Sequence, residues 1–334
     1  MSTLLNLGLD VGMGALKLVS AQGGSQMLAH VAVNGAARIA PMTGLSTRKP
    51  PLSIAVGAKD LSPQHSFYVD AGAHDHGRPI EALDFERLNG TPEMRALFCG
   101  ALTRHMQTYG PFTAPLRVMV GLPIEMLTGE SAPAYTNAIQ QWLKGTHTWS
   151  ADGQPQQSEI AEVKVTSQAA GALFDYLLDE TAQLVPERKA HFKKEVGIVS
   201  IGFNTLELLL VREKAPVQRF TTGATVGVRR LLELVNPERL YSFGELDTRL
   251  RAKQLDVSAA LPVWEREIVG VIEQCWGKVW RRFAVILVVG GGALLLQNTL
   301  PLRFNGKAII PTDPVLAIAR GLFKLACWTH RKSN

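Results

Sequence analysis

Apolar positions fall in short runs separated by polar stretches rich in glycine and proline, the pattern of buried strands alternating with amphipathic helices. Residues 4–9 form one such run, closed by Asp10-Val11-Gly12-Met13-Gly14, and residues 15–21 are apolar again. This predicts two strands joined by a glycine-rich turn. Residues 35–90 are polar, with short strands predicted at 52–56 and 66–69. Thr91-Pro92-Glu93 opens a helix: Thr91 serves as N-cap, Pro92 fits the first turn and Glu93 favours the positive end. The helix runs to about Tyr109, where Gly110-Pro111 stops it.

Residues 116–122 (LRVMVGL) read as a buried strand ending in Gly121-Leu122-Pro123, and 132–144 as a helix. Polar residues 145–158 read as an exposed loop or hairpin tip, 161–166 as a strand and 169–184 as a helix. Residues 195–201 and 206–212 form a second pair of strands, joined around Gly202-Phe203-Asn204-Thr205. Gly223 and Gly227 precede a helix to about Val235, and 254–262 read as a connector. Ile268, Ile272, Cys275, Trp276, Val279 and Phe283 recur at spacings of three or four, one core-facing stripe of a helix over 265–283. A strand at 284–289, the Gly290-Gly291-Gly292 turn into a helix, an amphipathic helix over 314–328 and a frayed basic tail at 329–334 complete the chain. The strand–turn–strand unit near residue 10 recurs with equal length near residue 202. A duplication at a spacing of roughly 190 residues predicts two related domains with a cleft between them.

Composition adds bounds. The 334 residues suffice for two domains of about 150 each. With 46% hydrophobic and 19% charged residues the chain is globular, which argues against disorder, collagen or a coiled coil. The formal net charge of +6 is spread along the chain, so it permits an acidic partner without demanding one. Cys99, Cys275 and Cys327 lie far apart, neither a disulfide framework nor a zinc site, as expected of a reducing compartment. The most apolar stretch, 283–296, contains three glycines and is too short to span a bilayer, and no basic segment precedes Asp10. The expectation is a cytoplasmic protein without a membrane span.

Three glycine-rich turns carry the candidate chemistry. In Asp10-Val11-Gly12-Met13-Gly14-Ala15-Leu16-Lys17, Gly12 and Gly14 let backbone N–H groups approach an anion, and Lys17 can return toward the same turn across the hairpin. Asp10, at the strand end, suits a hydrated Mg²⁺. Ser200-Ile201-Gly202-Phe203-Asn204-Thr205-Leu206-Glu207 offers a second cradle, with Thr205 as a donor. An ordinary tight hairpin accounts for either turn taken alone. Gly290-Gly291-Gly292, between a buried strand and a helix, invites flat packing of a nucleotide base and sugar.

Taken together and in this order, the three turns resemble the nucleotide-binding fold shared by actin, the Hsp70 chaperones and the sugar kinases. Asp10-x-Gly12-x-Gly14-x-x-Lys17 is similar to actin's first phosphate loop, residues 200–207 to the second, and Gly290-Gly291-Gly292 to the adenosine motif. Val165-Thr166-Ser167-Gln168 and the small residues after it resemble the interdomain connecting segment. Residues 314–325, with Ala317, Ala319 and Gly321, resemble the second connecting helix. Val118-Met119-Val120-Gly121-Leu122-Pro123 is similar to the V-x-G-L-P strand of the ParM/StbA-type plasmid-segregating actins.

The resemblance implies an α/β protein of two related lobes, duplicated RNase H-like mixed sheets with helices around a nucleotide cleft. Residues 1–165 plus 315–334 would form one lobe and 166–314 the other. It implies ATP or GTP with Mg²⁺ in the cleft. Gln168 would orient the attacking water, Asp10 hold Mg²⁺ through its waters and Lys17 neutralise phosphate charge. Gly12, Gly14, Gly202 and Thr205 would bind the phosphates, Asn204 and Gly223 would belong to the same nucleotide site, Glu233 would reach the ribose or base, and Gly290, Gly291 and Gly292 the adenosine. One departure stands out: the family's aspartate at the start of the second phosphate loop is Ser200, and its later aspartate is Glu207. Losing such a group slows hydrolysis by about 10²–10³-fold in related sites.

The implied function is nucleotide-dependent assembly into a homopolymer filament that moves or positions plasmid DNA through a DNA-binding adaptor protein. A non-polymerising ATP-binding scaffold of the same fold is the alternative, favoured by Ser200, and a small-molecule kinase a third. No helix-turn-helix, RNP or zinc-finger signature supports direct sequence-specific nucleic-acid binding. His74-Asp75-His76 offers metal-ligating groups without a third ligand at suitable spacing. Arg229-Arg230 and Arg281-Arg282 read as solvated faces that in an assembly would meet acidic neighbours, and Trp142 and Trp149 as packing or assembly contacts.

Overall fold

A computed structural model describes residues 4–34, 50–58, 61–81 and 84–331. Two mixed sheets organise it. The first takes β1 (Leu5–Val11), β2 (Ala15–Ser20), β3 (Gly23–Leu28), β4 (Val31–Val33), β5 (Leu52–Ala58), β6 (Leu61–Val69), β7 (Arg78–Pro79), β8 (Leu116–Leu122), β9 (Gly145–Ala151) and β10 (Gln154–Ser167) in the order β3-β2-β1-β8-β10-β9-β5-β6-β4-β7. The second takes β11 (Glu195–Ile201), β12 (Leu206–Arg212), β13 (Ala215–Pro216), β14 (Thr222–Ala224), β15 (Val285–Val289) and β16 (Ala308–Ile309) in the order β13-β12-β11-β15-β16, with β14 also on β12.

The paths β3-β2-β1-β8-β10 and β13-β12-β11-β15-β16 have the same strand directions: two antiparallel steps, then two parallel ones. The hairpins even share register, since Asp10 faces Lys17 and Ser200 faces Glu207. The central strands β8 and β15 are buried on both faces and apolar apart from Arg117, which pairs with Glu162, as strands covered on both sides tend to be.

One core surrounds the first sheet and the helix Pro92–Tyr109. A second surrounds the other sheet with the helices Val228–Val235, Phe243–Arg251 and Leu261–Trp276. A third lies between the sheets, built from Met119, Ile198, Val285, Ala172 and Leu322 among others. Its centre is the crossing of the helices Gln168–Leu177 and Ala317–Arg331. A Cβ on Gly321 would collide with the Gly171 carbonyl oxygen, so the small residues read from sequence set the closeness of this crossing. Arg320 then grips Asp175 through two bonds of 2.7 and 2.6 Å, and Lys324 adds a third at 3.1 Å.

Several elements depart from expectation. Of the two readings of residues 145–158, loop or hairpin tip, the structure has a hairpin, with its strands longer than a tip: β9 and β10, turned by Asp152-Gly153 with φ of 48° and 82°. That dipeptide is a strong hairpin signal, hidden by the polar residues on the open side of both strands. The helix expected to reach residue 184 ends at Leu177, because the Asp179 carboxylate takes the N–H groups of Thr181 and Gln183 at 2.8 and 2.9 Å and folds the chain back. The helix expected over 265–283 begins at Leu261 and stops at Gly277, where φ is 48°. The last helix starts at Ala317, after Asp313 has capped Val315 and Leu316, and it continues to Arg331 rather than fraying at 329. The part of the 35–90 expectation at 35–49 and the tail at 332–334 lie outside the described residues. Among the described residues no helix is long and apolar enough to cross a membrane.

Trp142 and Trp149 are packing residues. Their indole N–H groups donate to the Leu88 carbonyl at 2.8 Å and the Thr103 hydroxyl at 2.9 Å. Three of the four arginines in the pairs Arg229-Arg230 and Arg281-Arg282 meet acids within the chain: Arg229 meets Glu233, Arg230 meets Glu267 and Arg282 meets Glu195, while Arg281 lies over the Trp280 ring.

Candidate functional site

The matched hairpins point their turns at one another across the gap between the sheets, where a cavity of about 460 Å³ opens. Asp10, Gly12, Gly14, Lys17, Gln168, Gly202, Asn204, Thr205, Gly290 and Gly291 all line it, as does Ser200. Asp10 is almost fully buried. One carboxylate oxygen accepts Lys17 Nζ at 2.8 Å, made possible by their facing register, and the other accepts Gln168 Nε2 at 2.8 Å. Gln168 is the first residue of its helix, whose N-cap Ser167 binds the Ala170 N–H, so the end of β10 delivers it to the cavity.

The second turn is held from behind. Gly202 N–H donates to Thr205 O at 2.8 Å, and the N–H groups of Gly227, Val228 and Arg229 donate to the carbonyls of Asn204, Gly202 and Phe203. The first turn of the helix Val228–Val235 therefore satisfies this loop's backbone. Phe203, at its tip, crosses to the first hairpin: a Cβ on Gly14 would run into the Phe203 ring. Gly14 thus serves close approach of the two lobes as well as facing the cavity.

Three of the expected site residues stand elsewhere. Gly292 does not line the cavity; a Cβ there would collide with the Ile201 side chain, so this glycine serves strand–helix packing. Gly223 lies on β14 opposite Glu207, pressed against the Glu125 carboxylate. Glu233 is paired with Arg229 at 3.1 Å and Arg230 at 3.6 Å, on a helix whose outer face turns away from the cavity. Asp247, Leu250, Arg251 and Lys253, on and just after the helix Phe243–Arg251, line the cavity without having been singled out in the sequence. The signal of that helix was present as Ser242-x-x-Glu245, a capping box with both reciprocal bonds formed at 3.2 and 2.8 Å.

Behind Ser200 sits an acidic contact between the lobes. Glu207, fully buried, accepts the Ile124 N–H at 2.6 Å through one oxygen, while its other oxygen has no partner. Burial, with Glu125 and Asp10 adding repulsion, pushes Glu207 up to about 8. Burial also raises Glu125, from the opposite lobe. An uncharged Ser200 across the hairpin avoids a further carboxylate in this crowd. His74 donates to or accepts from the Ser242 hydroxyl at 3.2 Å, and among the described residues no group of three His, Cys, Asp or Glu is arranged to hold a metal.

The duplicated strand order, the crossed helices and the cavity between the sheets define the class: this is the actin-like fold. Residues 8–171 match the family model described as the N-terminal domain of actin-like proteins. Over the whole chain the structure is similar to the ParM protein of pSK41 in its apo form (14% identity, 99% of each chain covered, TM-score 0.73). It is likewise similar to Ta0583, an archaeal actin homologue solved with ADP (18% identity, 97% and 99% covered, TM-score 0.70). A ParM from Clostridium botulinum, solved as a 15-stranded filament, matches with 16% identity, 97% and 99% coverage and a TM-score of 0.67. No curated protein matches by sequence.

Proposed function

We propose that the chain binds ATP with Mg²⁺ in this cavity and assembles head to tail into nucleotide-dependent filaments that position plasmid DNA through a DNA-binding adaptor protein. The observation that carries the reading is the convergence of three separate glycine turns, near residues 12, 202 and 290, on one cavity of about 460 Å³ between duplicated lobes. That volume lies within the usual range for small-ligand sites. We take the lobes as 1–165 plus 315–334 and 166–314. Gly12, Gly14, Gly202, Asn204 and Thr205 would surround the phosphates, with Lys17 as the neutralising cation and Gly290 and Gly291 beside the adenosine.

The donor set suits Mg²⁺. Asp10 is the carboxylate at the phosphate end, and a hydrated Mg²⁺ needs only one or two such groups. Bound there, the ion would screen phosphate charge. Gln168, tethered to Asp10, would orient a water toward the terminal phosphate. Ser200 supplies no charge to that water, so hydrolysis is expected to be slow. The same architecture accommodates GTP, since the contacts named above touch phosphates and sugar.

A heterologous contact that does not close generates an open filament, and an archaeal homologue with ADP and a ParM solved as a filament support nucleotide use and polymerisation for this fold. A non-polymerising ATP-binding scaffold is the second reading, favoured by Ser200. High-speed sedimentation with ATP–Mg²⁺, with ADP–Mg²⁺ and without nucleotide separates them. Pelleting above a critical concentration, strongest with ATP, is expected; nucleotide binding without pelleting would leave the scaffold.

A further inference from the structure

Away from the crossed helices, the lobes touch again on the far side of the cavity. There the helix Phe243–Arg251 of the second lobe meets the chain around His30 and the short helix Ala73–His76 of the first. His30 Nε2 lies 3.2 Å from Asp247 Oδ2, with both residues buried. His74 Nδ1 lies 3.2 Å from the hydroxyl of Ser242, the cap of that helix, and Glu81 accepts the Gly244 N–H at 3.3 Å. The rings of His30 and His74 pack together with centroids 5.3 Å apart. A Cβ on Gly244 would run into the His74 ring, so only glycine lets the helix come this near.

We propose that this contact is the latch that holds the lobes closed over the nucleotide, with the His30–Asp247 hydrogen bond as its releasable element. The inference rests on reading the cavity as a nucleotide site and concerns how the nucleotide is retained. Asp247 faces two ways. The oxygen that meets His30 also accepts Arg251 Nε at 2.9 Å, and Asp247 and Arg251 both line the cavity. When the lobes part, Asp247 keeps Arg251 as its partner on the same helix. Opening therefore leaves no buried carboxylate unpaired, which would make the latch irreversible in practice. Opening gives up the His30 hydrogen bond to a charged acceptor, worth about ten- to hundredfold in an equilibrium constant, together with the His74–Ser242 and Gly244–Glu81 hydrogen bonds beside it. The contact at the helix crossing is different in kind: an apolar core, suited to stay intact while the far side opens. Asp247 thereby couples the closed state to the position of Arg251 in the cavity wall.

The test uses three variants of the full chain. His30→Ala removes the donor, His30→Gln restores one, and Gly244→Ala wedges the contact while adding a helix-favouring residue to a helix. Each is loaded with N-methylanthraniloyl-ATP and Mg²⁺ and chased with unlabelled ATP, and each nucleotide-free sample is measured by small-angle X-ray scattering. The expected result is release about tenfold or more faster for His30→Ala and Gly244→Ala, partial recovery for His30→Gln, and a larger radius of gyration for the first two. Wild-type release rates together with wild-type compactness in both variants overturn the latch while the nucleotide reading stands. A wild-type chain that binds no analogue overturns the nucleotide reading, and the scattering of the nucleotide-free samples then decides the latch alone.

Discussion

Glu207 and the buried histidines make opposite demands on pH. The folded chain holds Glu207 protonated up to about 8, whereas an unfolded glutamate releases its proton near 4.5. Folding stability from this group is therefore present below 4.5 and lost as pH rises toward 8. Glu207→Gln is expected to abolish that loss, read as a flatter melting temperature between pH 5 and 8 in thermal scans. His74 and His105 run the other way. Burial pushes both down to about 4, with His30 adding to it at His74, against 6.5 for the free side chain. Their contribution is present above 6.5 and is lost as pH falls toward 4. His105→Asn or His74→Asn should make the acid limb of the same scan shallower; an unchanged limb in both would show that other groups govern acid unfolding. Ser200→Asp tests the departure at the second turn. Combined with Glu207→Gln, to limit the crowding of carboxylates, it is expected to raise phosphate release at saturating ATP while ATP affinity changes little.

Among the elements, the crossed helices give the sharpest contrast. Gly321→Ala would force a methyl group into the Gly171 backbone and should cost about 1–3 kcal/mol in urea unfolding. Gly270→Ala sits on an exposed face of the helix Leu261–Trp276 with nothing near its Cβ, and should stabilise by about 0.5–1 kcal/mol. Equal effects at the two sites would refute the assignment of Gly321 to close helix packing. Elements whose pattern is local were readable in the sequence: β8, β11 and β12 coincide with their apolar runs, and Thr91 caps its helix as expected, binding the Met94 N–H. The misses have particular causes. β9 was obscured because its polar residues occupy the open face while only Trp149 and Ala151 turn fully inward. The helix Phe243–Arg251 is short and carries Glu245, Asp247, Arg249 and Arg251, so its apolar stripe is too thin to stand out.

For the whole molecule, the duplicated strand order and shared register make each hairpin the counterpart of the other, yet the pair Asp10–Lys17 carries opposite charges and Ser200–Glu207 a single acid. The lobes are alike in architecture and unlike in chemistry at the cavity they enclose. A ligand that fits only the closed arrangement must stabilise it by mass action, by about 2.7 kcal/mol at a hundredfold excess over its dissociation constant. ATP with Mg²⁺ is accordingly expected to raise the melting temperature, with a smaller rise when EDTA removes the metal. Lys17→Ala should diminish the shift, since it removes the cation beside Asp10 from the phosphate end of the cavity.

Strand runs, the glycine turns, the repeat between residues near 10 and near 202 and the small residues of the last helix were determined by the sequence alone. Each depends on neighbours a few positions apart, or on two segments with the same short pattern. Tertiary structure decided which of those glycines face the cavity and which serve packing. Gly12 and Gly291 line the cavity, Gly291 with open space beside it and Gly12 with the Ala15 carbonyl where a Cβ would sit, whereas Gly292 faces Ile201 and Gly223 faces Glu125. It also decided that Asp247 and Arg251 line the cavity while Glu233 does not, and that His30 meets Asp247 across 217 positions of chain. Such choices depend on how segments far apart in the chain approach each other, and no periodicity along one strand or helix encodes that distance.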